Sequence, residues 1–235
     1  MRSCLILLIL ISLTTISFGQ KPCVDSGFTN KAEAKNIIKH NVKTGKWIEN
    51  IDVKGNVTNS INAVYYRLTI YKRDKPVGMQ RYYYKNNKLA ALMPYVNGKK
   101  NGIGKLFFES GKLLKIIPYK DSLVNGTAII YYESGSIESE IPYVNGKKNG
   151  LGKLYFKDGK LESETFYAND LKEGVVKVYY ESGTIMSEIP CSSDKRNGVE
   201  KDYYENGKLK KETPYKDDII GGEATNYDEN GNETK

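Results

Sequence analysis

Residues 94–106 read PYVNGKKNGIGKL, and residues 142–154 read PYVNGKKNGLGKL; the chain says the same thing twice, 48 positions apart, with Ile103 exchanged for Leu151. Half that spacing is the true period. Gly78, Gly102, Gly126, Gly150, Gly174, Gly198 and Gly222 recur every 24 residues without a slip. Nine residues after each comes a second glycine (Gly111, Gly135, Gly159, Gly183, Gly207, Gly231), with Asn87 in that place in the first unit. A fixed period of this length means supersecondary units that stack on their neighbours and share a continuous core.

Each unit reads as two strands. The first follows the leading glycine: residues 104–108 (GKLFF), 128–132 (AIIYY), 152–156 (GKLYF) and 176–180 (VKVYY). A tight turn follows, as in Glu109-Ser110-Gly111-Lys112, where glycine supplies the positive φ that short hairpins demand. The second strand covers residues 113–119, 137–143, 161–167, 185–191 and 209–215. It places an apolar residue or tyrosine at alternate positions, so one face is expected to be buried. Glu138, Glu140, Glu162, Glu164 and Glu188 fall on the opposite, wet face. Pro94, Pro118, Pro142, Pro190 and Pro214 lack an amide hydrogen and belong at a strand end, a bulge or an unpaired position. On the first strand, Tyr83, Phe107, Tyr131, Tyr155, Tyr179, Tyr203 and Tyr227 make an aromatic ladder. It is either a stack that stabilises the sheet or a binding strip. With strands about 4.8 Å apart, two strands advance the array by about 10 Å and the whole ribbon reaches about 70 Å.

The composition agrees with half-exposed β-structure rather than a thick aliphatic core: 19 Tyr stand against 6 Phe and 1 Trp. Residues 1–19 have the layout of a secretory signal peptide, with Arg2, an apolar run over residues 5–16, and Ser17 and Gly19 before a cut at Gln20. The run is short of the roughly 20 residues that span a bilayer. The mature protein is therefore expected in the periplasm, on the envelope or outside the cell. Cleavage removes Cys4 and leaves Cys23 and Cys191, whose pairing the sequence leaves open.

Residues 20–44 form a leader, in which residues 29–41 (TNKAEAKNIIKHN) are expected to make a short N-terminal helix capped by Thr29, covering the open edge of the sheet. His40, the single histidine, has no Cys, His or Asp cluster around it. Residues 45–77 read as a degenerate first repeat with an enlarged loop, and residues 78–235 as the regular tandem array with a truncated last unit, where Asn226 and Asp228 replace apolar residues. The fold class is all-β, an elongated antiparallel β-meander of 24-residue hairpin repeats.

No nucleophile–base pair, phosphate loop or metal-ligand spacing stands out, and glutamates at repeat intervals are what solvated turns produce. No catalytic residue, metal or cofactor is expected. The formal net charge is +8, and part of it is patterned: Lys99-Lys100, Lys147-Lys148 and Lys195-Arg196 put a basic pair on every second inter-unit hairpin. Such an edge could grip anionic lipid or polysaccharide, each cation contributing about 1 kcal/mol near an anionic membrane. It equally keeps an edge soluble and unpaired. Nucleic acid is not expected, since the cations are spread out among carboxylates.

Residues 95–104, YVNGKKNGIG, resemble the MORN repeat, whose consensus runs tyrosine, glycine, a short polar hairpin, glycine-x-glycine and aromatics; residues 145–152 match it again. The 24-residue period and doubled aromatics are most similar to the bacterial MORN-repeat-variant family, over residues 78–231 and more weakly from residue 45. The chain departs from the pattern at the second glycine, with Ala128, Val176, Glu200 and Ala224 in its place. The resemblance implies a single-sheet meander that binds proteins or membranes rather than performing chemistry, and many such proteins carry the label of antitoxin component. The expected function is thus an exported, non-enzymatic scaffold for a protein partner. Peripheral attachment to anionic lipid or polysaccharide is the alternative, and inhibition of an exported toxin, in the manner of an antitoxin or immunity protein, a third.

Overall fold

A computed structural model describes residues 23–234; the apolar leading segment, Cys4 and the cleavage site lie outside them. The described chain is one 23-stranded antiparallel sheet in which successive strands are neighbours, an open meander. Within a unit the pairing is long: Gly102–Phe107 lies against Leu113–Lys120 with Gly102 opposite Tyr119 and Lys105 opposite Ile116. Between units it is short, only Ile129 with Ile116 and Ile130 with Lys115.

Two kinds of turn alternate along the chain. At one side, the Gly111 amide donates to the Phe108 carbonyl at 2.8 Å, and Gly111 sits at φ +91°, a conformation that a side chain opposes. At the other side the links are two-residue turns with both residues at positive φ: Asn97-Gly98, Asp121-Ser122, Asn169-Asp170, Asp217-Asp218. That is the turn whose twist suits a hairpin, and Asn, Asp and Gly tolerate it best. The basic pairs are therefore not loop tips. Lys99–Lys100, Lys147–Lys148 and Lys195–Arg196 are short return strands, with Lys100 opposite Tyr95 and Lys99 opposite Val96.

After each return strand the chain steps out and back. The Asn101 amide donates to the Pro94 carbonyl at 2.9 Å, so the proline stands at a bulge, where its missing amide is not needed. The step brings a glycine under the proline ring. A Cβ on Gly126 or Gly150 would lie 3.0 Å from Cγ of Pro118 or Pro142, and one on Gly198 3.0 Å from Cβ of Pro190. One unit has Phe166 where the others have proline, and there Gly174 has no atom within 4 Å of a Cβ position.

A second bulge sits at the opposite end of each unit, where Tyr155 pairs with Leu161 and Leu154 with Ser163, leaving Glu162 between them. It inverts the alternation read from the sequence. Ile137, Leu161 and their equivalents pair with the ladder aromatics. Glu138 and Glu162 turn instead towards Tyr132, whose phenol is raised by burial and by these two carboxylates. They do not share a face with Glu140 and Glu164. The sheet thus has a proline face (Ile103, Lys105, Phe107, Ile116, Pro118) and a glycine face (Gly104, Leu106, Ile117, Tyr119).

The first unit holds the largest fully buried side chains among the described residues. Phe28, Ile51, Leu68 and Thr69 are its fully buried side chains. The helix expected over residues 29–41 does not form. Only Lys31–Glu33 makes a 3-10 turn, capped by Asn30 rather than Thr29, and Ile37–Lys39 is a strand paired with Val42–Ile51. His40 and Asn41 are its turn residues, at φ +52° and +62°. A helix of this length is marginal by itself. Here it competes with an open sheet edge, on which Asn36 bonds both backbone groups of Ile48 and the Lys35 amide reaches the Lys46 carbonyl.

Cys23 and Cys191 are free thiols. Cys23 lies beside the backbone of Tyr95, and Cys191 occupies the position equivalent to Tyr95 four repeats later. At about 10 Å per repeat the two cannot meet. Gly152 lets Tyr167 approach to 3.0 Å of a Cβ position, and one unit on Val176 and Cys191 stand in the places of that glycine and tyrosine; as Glu200 coexists with Tyr215, nothing in the structure explains the cysteine.

Gly150→Ala and Gly174→Ala probe the proline contact. Both put a side chain at positive φ, at a cost of about 1–2 kcal/mol in the left-handed region, but Gly150 sits further out, at φ +112° against +78°, and only there must a proline ring move. The urea midpoint of Gly150→Ala is expected below that of Gly174→Ala by circular dichroism; equal midpoints would show that the ring contact contributes nothing.

Candidate functional site

The basic edge is largely engaged within the protein. Lys99 pairs with Asp121 at 3.6 Å and Lys195 with Asp217 at 4.0 Å, the carboxylate coming from the next turn along. Lys147 meets Asn169 in that place and has no carboxylate partner among the described residues. The second member of each pair lies over a tyrosine of the glycine face: Lys100 5.0 Å from the ring centre of Tyr119, Lys148 4.9 Å from Tyr167, Arg196 3.8 Å from Tyr215. At exposed sites such contacts contribute about 0.5–1 kcal/mol each. Arg196 also reaches Glu200 and Asp218 at 3.3 and 3.4 Å.

The same edge is stitched turn to turn. The Asp170 amide donates to the Lys148 carbonyl and the Asp170 carboxylate accepts from the Lys148 amide, both bonds spanning 22 residues. Asp194 with Lys172 and Asp218 with Arg196 repeat the pattern. Here the sequence has a use for Asp at the second turn position that turn propensity alone does not reveal.

The aromatic ladder, on the proline face, is not a stack of rings. Its members are two strands, about 10 Å, apart, beyond the 4.5–7 Å of a ring pair. The stacked pair of the first unit, Tyr83 with Tyr66 at 5.0 Å, crosses adjacent strands. What joins later members to the sheet is a hydroxyl. Tyr155, Tyr179, Tyr203 and Tyr227 donate to Glu140, Glu164, Glu188 and Glu212, each 15 residues back, at 2.8–3.2 Å. For Phe107 and Tyr131 the equivalent partners are Leu92 and Ile116. A second tyrosine row, unread in the sequence, stitches units through the backbone. Tyr84, Tyr132, Tyr180 and Tyr204 donate to the carbonyls of Phe107, Tyr155, Tyr203 and Tyr227, each 23 residues on, at 2.7–2.8 Å. The doubled aromatics at every first-strand end were its visible sign.

The proline face changes character along the array. From Glu140 onward its middle row alternates in sign, Glu140, Lys153, Glu164, Lys177, Glu188, Lys201, Glu212, each directly opposite the next. Before that the row reads Leu92, Lys105, Ile116, Ile129. Beside it runs an apolar row that nothing among the described residues covers: Ile103, Leu151, Val175 and Val199 are 43–48 % exposed, and Phe166 is 46 % exposed. Among the described residues no group of three or more His, Cys, Asp and Glu side chains is placed to hold a metal ion.

An open sheet of two-strand units, held together only by contacts between neighbours, defines a hairpin-repeat protein. The MORN repeat variant family model matches residues 76–97, 100–121, 124–145, 148–169, 172–190 and 196–217, and the chain belongs to that family. No curated protein matches it.

The tyrosine–glutamate bonds set a pH dependence. Burial, then the bond to the carboxylate, pushes the Tyr155 phenol up to about 12, and Tyr203 beside Glu188 likewise to about 12. A phenol raised in the folded state stabilises the fold below its unfolded value near 10, and that contribution is lost as pH rises towards 12. Ultraviolet titration should find late-ionising tyrosines, and Glu140→Gln should bring one of them down; an unchanged titration would show that the carboxylate does not hold the phenol.

Proposed function

We propose that the protein is an exported, non-enzymatic scaffold that binds a protein partner along its sheet. The observation that carries this reading is the uncovered apolar row of the proline face, repeated at Ile103, Leu151, Val175 and Val199 on a regular support. Contiguous exposed apolar surface of this kind marks interaction sites. The layout of residues 1–19 supports export, and membership of a repeat family supports binding rather than catalysis.

Attachment to anionic lipid or polysaccharide has weaker support. Of the six basic hairpin residues, Lys99 and Lys195 face carboxylates and Lys100, Lys148 and Arg196 lie on tyrosines, which leaves Lys147 as the member with no such partner among the described residues. Action as an inhibitor of an exported toxin is the same surface with a particular partner.

The test is a pull-down from the envelope fraction of the source cell with residues 20–235 as bait. Two variants accompany it: one with Lys99, Lys100, Lys147, Lys148, Lys195 and Arg196 changed to Gln, the other with Ile103, Leu151, Val175 and Val199 changed to Thr. The wild type and the basic-edge variant are expected to retain the same protein in moderate salt, and the apolar-row variant, with unchanged circular dichroism, to lose it. Recovery of lipid or polysaccharide by the wild type, abolished in the basic-edge variant, would overturn the scaffold reading.

A further inference from the structure

The protein already shows how its proline face is covered, because its own leader covers the first unit. The chain enters beside Tyr95 with Cys23 and crosses Gly78 with the backbone of Val24. Asp25 then meets Arg81 in a two-pronged ion pair at 2.7 and 2.6 Å. Arg81 also donates to the carbonyl of Phe28, which is buried. The Val24 carbonyl lies 3.1 Å from the Cβ position of Gly78, the place that the ring of Pro94 takes over Gly102 one unit later. Under this cover Pro94 and Leu68 are buried, whereas Pro118, Pro142, Pro190 and Pro214 are half-exposed.

The next unit repeats the basic position on which the leader is anchored, with nothing on it among the described residues, while the ring of Pro94 fills the place of the Val24 carbonyl. Lys105 stands 24 residues after Arg81, in the same register, and Ile103 stands in the place of Met79. The neighbours of Lys105 across the sheet are Leu92 and Ile116, so no carboxylate faces it from either strand, and the ammonium is exposed. Phe107 and Ile129 complete an apolar surround, and Ile103 is 48 % exposed. Later units are already neutralised: Lys153 faces Glu140 and Glu164, and Lys201 faces Glu188 and Glu212. A lone cation in an apolar frame, one unit on from a site where the same position holds Asp25 beside the buried Phe28, specifies its ligand by charge and shape.

We infer that the patch of Leu92, Ile103, Lys105, Phe107, Ile116 and Ile129 is a docking site for an extended peptide segment of a partner protein, in which a carboxylate is followed by a large apolar side chain, as Asp25 is by Phe28. The segment lies across the strands beside the leader, its carboxylate on Lys105 and its apolar side chain among the apolar residues around that cation. This rests on the protein-scaffold reading and names the class of partner segment and the unit that receives it.

The probe is a fluorescein-labelled peptide of the sequence of residues 20–30 with Cys23→Ser, titrated by anisotropy with residues 20–235, whose own leader stays in place. Saturable binding is expected, weakened about tenfold or more by Lys105→Glu in the protein or Asp25→Asn in the peptide, since a like or missing charge removes the anchor. Lys201→Glu, outside the patch, is expected to leave it within about twofold. A peptide with Asp25→Lys should regain affinity for the Lys105→Glu protein, which excludes a simple folding defect. Absence of saturable binding, or equal losses for Lys105→Glu and Lys201→Glu, would overturn the inference. So would a dimer in sedimentation that dissociates on Lys105→Glu, because a second copy would then be the occupant. If the pull-down keeps its protein partner while the peptide fails, only this inference falls; if both fail, the scaffold reading falls with it.

Discussion

The structure depends on how closely one strand can approach the next at the proline. A single sheet has no second layer to press its strands together, so each inter-unit contact must be supplied locally. The bulge at Asn101 removes the need for an amide on the proline, and the glycine that follows removes the side chain that would hold the ring away. These two absences give the array its 24-residue beat. Where Phe166 breaks the pairing, Gly174 keeps its left-handed backbone at φ +78° without a neighbour to require it for space. The left-handed backbone alone accounts for the glycine at that unit.

Around this contact the remaining stitches are polar and long in sequence: tyrosine hydroxyls to carbonyls 23 residues on, phenols to carboxylates 15 residues back, turn aspartates to amides 22 residues back. Each is worth about a kilocalorie, and each joins one unit only to its neighbour. The stability of such an array is a sum of nearest-neighbour terms. That is why the chain concentrates its buried apolar residues at one end. Phe28, Ile51 and Leu68 close the first unit, and the leader and the short edge strand cover part of the ladder there.

The repeat and the hairpins were legible because glycine, proline and tyrosine recur at positions with few conformational alternatives. What the sequence hid has a common cause. Bulges change which side a residue faces without changing its spacing, so Glu138 and Glu162 read as partners of Glu140 and Glu164 when they lie on the other side. The basic pairs read as an edge that could grip an anion because the tyrosines and aspartates they contact come from other parts of the sequence. Residues 29–41 read as a helix because local propensity was weighed without the sheet edge that competes for the same backbone. The leader's anchor, Asp25 on Arg81, spans 56 residues and left no local signal beyond a basic residue inside a strand.

The direction of the strands has a mechanical consequence. They run across the long axis, so tension applied to the two ends of the array pulls neighbouring strands directly apart rather than sliding them past one another. Ladder hydrogen bonds then open one after another instead of sharing the load. The weakest seams are those between units, where the pairing is shortest. Under load such a ribbon pays out length a hairpin at a time and recovers it by the same small steps. It is a compliant tether rather than a strut.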